Sequence, residues 1–271
     1  MAAPLVLNAR MYAIAPGARA AWHALFDWLS RASGRPLQIV DHAFPAPLDA
    51  LWARDDLAAG FMCGWPFARE RIDGAARPIV AAPIPLSSPA GRAVYRSHFI
   101  VRRESPVRRL EDTFGGRLAY TAETSHSGYN APRHHLLAYR SAAGRPLYAA
   151  RIGPLVTPRR VVEAVLAGEA DVGPLDSYAH DLLLRHDPAL MAGVRIVDST
   201  AWAPIPPLVG SRGGDPAAAA RLGDLLAAAA EDKAARPLLA ELALAGFARP
   251  AAADYGVTLA WATAAAHEIV M

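Results

Sequence analysis

Short β-like runs alternate with segments of helical periodicity along most of this chain, and that alternation restricts it to an α/β fold. Residues 4–9 (PLVLNA) read as a first strand. After a loop around Tyr12 and Pro16, residues 18–31 read as a helix with Trp22, Leu25, Phe26 and Leu29 on one face. Strands are expected over 36–41, 58–63 and 77–83, the second ended by the turn chemistry of Gly64-Trp65-Pro66. The stretch YRSHFIVRR at 95–103 is a strong β candidate. The pattern then restarts, with strands at 117–120, 171–174 and 194–198 and helices at 127–140, 159–166 and 177–185. Thr157 and Pro158 form the N-cap and first position of the second of these helices, as Asp215 and Pro216 do for a helix at 216–231. Prolines keep 204–209 extended, and two more helices, 236–244 and 258–269, close the chain.

The middle third therefore reads as its own α/β unit, entered through YRSHFIV and left through APIPPLV. Two such crossings predict one lobe inserted into another, with residues 1–98 and 206–271 in the first and 99–205 in the second. The crossovers act as a hinge. Loops at the carboxyl ends of strands, facing the cleft, are where a ligand is expected. At 271 residues, 53% hydrophobic and 20% charged, the chain can bury cores of this size. The net charge of +3 is modest and spread out, with no basic arm or aromatic–basic interleaving, so nucleic acid is not an expected partner. Cys63 is the sole cysteine, which excludes an internal disulfide, and its apolar flanks mark it as a core residue. His134 and His135 are adjacent and fall on different sides of a helix, and the other histidines, His267 among them, are scattered, so no metal or cofactor is expected. The sequence has no Gly-x-Ser-x-Gly elbow, Walker A loop or Gly-x-Gly-x-x-Gly fingerprint. The opening MAAPLVLNAR has no charged n-region followed by an apolar stretch and cleavage site, which makes the chain cytoplasmic if Met1 is the native start.

The segment AYTAETSHSGYNAPR (119–133) carries the chemistry. A strand ends at Tyr120, a loop with Thr121, Thr124, Ser125 and Ser127 follows, and Gly128 opens a helix. A helix N-terminus offers free amides and a partial positive charge, hydroxyls add donors, and a glycine lets an anion approach the backbone. The alternative is that Ser125 or Ser127 merely caps the helix. Pro132 fits a first turn, which would start the helix near Tyr129 and leave 125–128 as an anion loop.

The stretch SHSGYNAPRHHLL resembles the Ser-x-Ser-Gly-Tyr loop and Pro-started helix of the phosphate, phosphite and phosphonate substrate-binding proteins of ABC transporters. YRSHFIVRRESPVRRLED is similar to that family's crossover strand and following helix. EAVLAGEADVGPLDSYAHDLLLRHDP is similar to its Asp-Val-Gly-x-x-Asp segment, and FMCGWPF to its Cys-Gly-x-Pro turn. The resemblance spans nearly the whole chain and implies the two-lobed, type II periplasmic-binding-protein fold. It implies a monomer that binds a small anion, without catalysis, as partner of an ABC permease in the periplasm. Residue by residue, it implies that Ser125, Ser127 and Gly128 hold the anionic oxygens. Tyr12 reaches in from the first lobe, Tyr95 and Ser97 from the crossover, and Asp176 from the start of its helix. A carboxylate there favours a ligand that keeps a proton or carries an amine; the alternative is that Asp176 is an ordinary N-cap. His126 departs from the family pattern, which often has a smaller residue between the serines, and either donates to the anion or faces solvent. The absence of an export signal also departs from it. A cytoplasmic enzyme or a ligand sensor on the same fold is the competing reading.

Overall fold

Leu57–Phe61, buried at every residue, can only be the interior of a sheet covered on both faces. In the computed structural model, which describes residues 4–74, 77–140 and 145–266, it is a middle strand of a six-stranded sheet. The order is Leu244–Ala248, Ile79–Pro85, Leu208–Val209, Leu57–Phe61, Leu5–Asn8, Leu37–Ile39. Leu5–Asn8 runs parallel to both of its neighbours, and the remaining pairs are antiparallel. Helix Pro16–Ser33 starts on its proline and ends at Gly34, whose φ of 64° is the left-handed conformation that glycine adopts freely. Its buried face holds Trp22, Leu25, Phe26 and Leu29, as the spacing predicts. The Trp22 ring meets Phe61 edge-on at 5.0 Å.

A second sheet is built around Ser97–Arg102, which pairs antiparallel with Val194–Ser199 on one side and Gly173–Asp176 on the other. A parallel pair, Arg117–Ala119 with Ala150–Ile152, joins it through a bridge between Leu118 and Val172. Phe99, Val101, Leu110, Leu118, Leu136, Tyr148 and Val172 form its core.

The chain divides into two units, Met1–Val94 with Pro204–Tyr255 and Tyr95–Ala203 with Gly256–Met271. The two crossings run side by side. Within the first unit the Ile205 amide donates to the Ala93 carbonyl at 3.2 Å, and within the second the Thr200 amide donates to the Ser97 carbonyl at 2.9 Å. The tail departs from expectation. Residues from Gly256 on belong to the second unit, not the first, because helix Gly256–Ala265 packs on the helix that follows the serine loop. The last residues expected in that helix, 267–269, and His267 lie outside the described residues.

Other differences are local. Gly64-Trp65-Pro66 opens a helix, Gly64–Ile72, instead of only ending a strand, because a proline in a first turn has no hydrogen bond to lose. The helix expected after the crossover strand is a single 3-10 turn, Leu110–Thr113, and strands Ala150–Ile152 and Leu244–Ala248 were not anticipated.

One buried ion pair ties the first unit together. Arg77, 1% exposed in its side chain, donates to Glu70 and to the carbonyls of Trp52 and Gly210. Arg212 also donates to Glu70 at 2.7 Å. Burial works to raise the Glu70 carboxyl, but the hydrogen bonds from Arg77 and Arg212 outweigh it and hold it below the ordinary range. A depressed acid contributes stability that is present at neutral pH and lost as pH falls through its folded value. Glu70→Gln leaves Arg77 buried without a counter-charge and is expected to lower stability at pH 7 by about 3 kcal/mol. In urea unfolding, the gap to wild type should narrow as the pH is taken below the carboxylate range. An equal gap at all pH values would sink this account.

Candidate functional site

The serine loop begins where Arg117–Ala119 ends, and its shape follows from one proline. Pro132 has no N–H, so it cannot donate to the carbonyl of Ser127 or of Gly128, the two acceptors within reach of its place in a helix. Both carbonyls are bonded from outside. The Ser97 hydroxyl donates to the Ser127 carbonyl at 2.7 Å, and the Thr121 amide donates to the Gly128 carbonyl at 3.3 Å. The chain at His126–Asn130 is wound as a π-helical turn, with the Asn130 amide donating to the Ser125 carbonyl at 3.0 Å. Such turns recur at functional sites. An α-helix, Ala131–Leu136, continues from it. The helical winding thus starts at His126, not near Tyr129.

Ser125 is the N-cap, its Oγ accepting from the Gly128 amide at 3.0 Å. The capping alternative therefore holds for Ser125, although its hydroxyl proton remains available to another acceptor. Ser127 is half-buried, and its hydroxyl has no partner among the described residues. Gly128 meets a packing demand that was not expected. A Cβ there would lie 1.9 Å from Thr121 Oγ1 and 2.8 Å from Thr121 Cβ, so the missing side chain makes room for Thr121. The Thr121 hydroxyl is itself buried without a partner among the described residues.

Asp176 stands opposite Ser97 in the antiparallel register, and its strand lies against the π-turn. It caps helix Ser177–His186, with Oδ1 accepting from the Ala179 amide at 2.6 Å. An ordinary cap is exposed; this one is 6% exposed. Burial pushes its carboxyl up to about 7, against the pull of the Ala179 amide and with a further push from Asp181.

His126 does not face solvent, being 1% exposed. Its Nδ1 lies 3.0 Å from Asn130 Nδ2, which donates to it, so the neutral ring carries its proton on Nε2. Burial, and then neighbouring His134, push it down to about 3. The imidazole stacks on Trp261 at 5.4 Å, and the Tyr95 ring lies 6.2 Å away.

The second unit thus brings together Tyr95, Ser97, Ser125, His126, Ser127, Gly128 and Asp176. Tyr12 belongs to the first unit, where it is buried and meets Phe61 edge-on at 4.9 Å. His134 and His135 do point to different partners, Trp261 and Asp198. Asn130, Thr200 and Trp261 were not singled out as parts of this site. The spacing of Thr258, Trp261 and Ala265 at i, i+3 and i+7 was the signal that one helical face was in use. No group of three metal-ligating side chains occurs among the described residues.

Gly128→Ala is expected to destabilise the protein by about 1–3 kcal/mol, the usual cost of overpacking. Adding Thr121→Ala removes the atoms in closest conflict and should recover part of the loss in thermal unfolding. A double variant no better than the single one would show that Thr121 is not what demands glycine.

Comparison with known proteins follows the same lines. The solved structure of a Xanthomonas citri protein bound to ATP is 23% identical, with a TM-score of 0.65, covering 99% of this chain and 100% of that one. The binding-protein component of an ABC phosphonate transporter from Pseudomonas aeruginosa is 15% identical, with a TM-score of 0.79, covering 97% and 87%. PhnD1 from Prochlorococcus marinus in complex with methylphosphonate is 14% identical, with a TM-score of 0.78, covering 96% and 97%. At these identities the likeness shows the fold, two-lobed and periplasmic-binding-protein-like. No curated protein sequence matches. The family model for the phosphonate periplasmic substrate-binding proteins of ABC transporters matches residues 16–255, and the chain belongs to that family.

Proposed function

We propose that this solute-binding protein takes a small tetrahedral oxyanion of the phosphate, phosphite or phosphonate class that keeps a proton or carries an amine. The hydroxyls of Ser125 and Ser127 and the amides of the π-turn hold its anionic oxygens. Asp176, and Tyr95 beside His126, set which anion is accepted. The observation that carries this reading is the half-buried Ser127 hydroxyl at the first turn of a helix, without a partner among the described residues while the Ser97 hydroxyl is engaged in shaping the same turn. First-turn amides have no intrahelical acceptor, and a developing row of donors at that end favours an anion. The ligands of two relatives, methylphosphonate and ATP, share tetrahedral phosphorus–oxygen groups. Membership of the family supports delivery to an ABC permease from the periplasm, and binding without conversion of the ligand.

The first test is calorimetric titration with phosphate, phosphite, methylphosphonate, aminoethylphosphonate and sulfate, with phosphorus NMR of the mixtures after prolonged incubation. Binding with unchanged resonances supports a carrier; a new resonance would support an enzyme instead. Ser127→Ala should weaken binding by about 1.5–3 kcal/mol, the worth of a hydrogen bond to a charged group. Full affinity in that variant would remove the loop from the site.

Asp176 gives a pH signature. Below about 7 its carboxyl is protonated and donates to an anion; above that it is charged and repels one. Affinity for methylphosphonate should therefore fall as pH rises through neutrality, more steeply in wild type than in Asp176→Asn. The variant keeps the capping oxygen and should shift preference toward fully ionised anions. Identical pH profiles for the two proteins would reduce Asp176 to a helix cap.

A further inference from the structure

Helix Gly256–Ala265 contributes little to any apolar core. Only Thr258 and Ala265 are buried in it, and Trp261 is half-buried. Yet three places on one of its faces, spaced i, i+3 and i+7, are engaged by the segment that carries the serine loop. At its start, Asn130 Nδ2 donates to the Thr258 carbonyl at 2.9 Å. At its middle, the Trp261 ring stacks on His126 and on His134, the latter at 4.8 Å with the planes 7° apart. At its end, Arg133 Nη2 donates to the Ala265 carbonyl, a cation placed where helix carbonyls are left without amides. Asn130 makes both of its donations at once, one to this helix and one to His126 Nδ1 inside the π-turn. Each contact falls on a residue of the turn or of the helical turn after it.

The geometry points to the C-terminal helix as a brace that holds the serine-bearing π-turn in its anion-binding form, with Trp261 as the positioning residue; this rests on the ligand reading proposed above. A π-turn is not the conformation that backbone hydrogen bonding alone favours, so it needs partners that reward it. Here the rewards are the imidazole–indole stack and the Asn130 bridge. Both vanish if the turn reverts to α winding, because that rotates His126 relative to Asn130 and to the helix beyond. Trp261 touches no ligand in this scheme; it acts through His126, the residue between Ser125 and Ser127.

Three substitutions test it in the full chain, with methylphosphonate as the probe. Trp261→Ala should weaken binding by about tenfold or more, the usual size of effect when an outer partner of a bound group is lost. Its urea midpoint should stay close to wild type, since little apolar surface is involved. Trp261→Phe keeps a ring to stack and should bind within a few-fold of wild type. Trp261→Leu keeps apolar bulk without a ring to stack and should bind as weakly as Trp261→Ala. Undiminished affinity in Trp261→Ala, or Trp261→Phe as weak as Trp261→Ala, overturns the brace. If Trp261→Ala does not fold, the comparison of Trp261→Leu with Trp261→Phe decides, and equal affinity in those two overturns it. Wild type that fails to bind methylphosphonate sinks the ligand reading, and the brace with it, before any variant is compared.

Discussion

The hydrogen bond from the Ser97 hydroxyl to the Ser127 carbonyl ties the middle strand of the second unit's sheet to the loop that carries its chemistry. Ser97 is held on its other side by Thr200, whose hydroxyl accepts from the Ser97 amide at 3.0 Å and whose own amide returns the bond. It stands opposite Asp176 in the ladder. Three segments far apart in sequence are thereby fixed to one residue on a rigid strand. A binding turn referred to a central strand is held more narrowly than one supported by its own loop, which is what selective recognition needs. The arrangement meets a need of the turn, because the Ala131 amide is taken by the His126 carbonyl and Pro132, next in line, has no N–H to give the Ser127 carbonyl.

Much of this was legible in the residues, and the reasons are specific. Helix Pro16–Ser33 was readable because eighteen residues carry an apolar stripe between a proline start and a glycine stop. The serine loop was readable because its hydroxyls, Gly128 and Pro132 each constrain the backbone locally. What escaped depends on partners distant in sequence. Ala150–Ile152 is three residues with two of them exposed, and only pairing with Arg117–Ala119 makes it a strand. Leu244–Ala248 contains Gly246 and two alanines and becomes a strand by pairing with Ile79–Pro85. The allegiance of the last helix could not be read from its own periodicity, which marks a face but not the surface the face meets. The packing demand on Gly128 also escaped, because the Thr121 side chain that fills its space arrives from across a turn.

The titratable groups of the candidate site are governed by burial. It pushes the His126 imidazole down to about 3 and the Asp176 carboxyl up to about 7. Arg96, between Tyr95 and Ser97 in sequence, lies over Trp202 at 4.6 Å. In the reading proposed above the donors are hydroxyls and amides, whose direction the turn has already fixed.

That choice bears on selectivity more than on strength. A guanidinium attracts any anion and pairs best with a fully ionised one. Dipoles aimed from one turn demand a particular oxygen spacing, and a buried carboxyl near them discriminates by protonation. In the proposed reading, a protonated Asp176 would present one more donor, and an ionised one an acceptor that a proton or an amine on the ligand would have to meet. The same carboxyl must also cap its helix, and the Ala179 amide is satisfied in both states. The cap therefore survives the change in charge. A group in that situation can change its preference with pH without loosening the strand and helix that position it, and this separates recognition from stability at a site where one residue serves both.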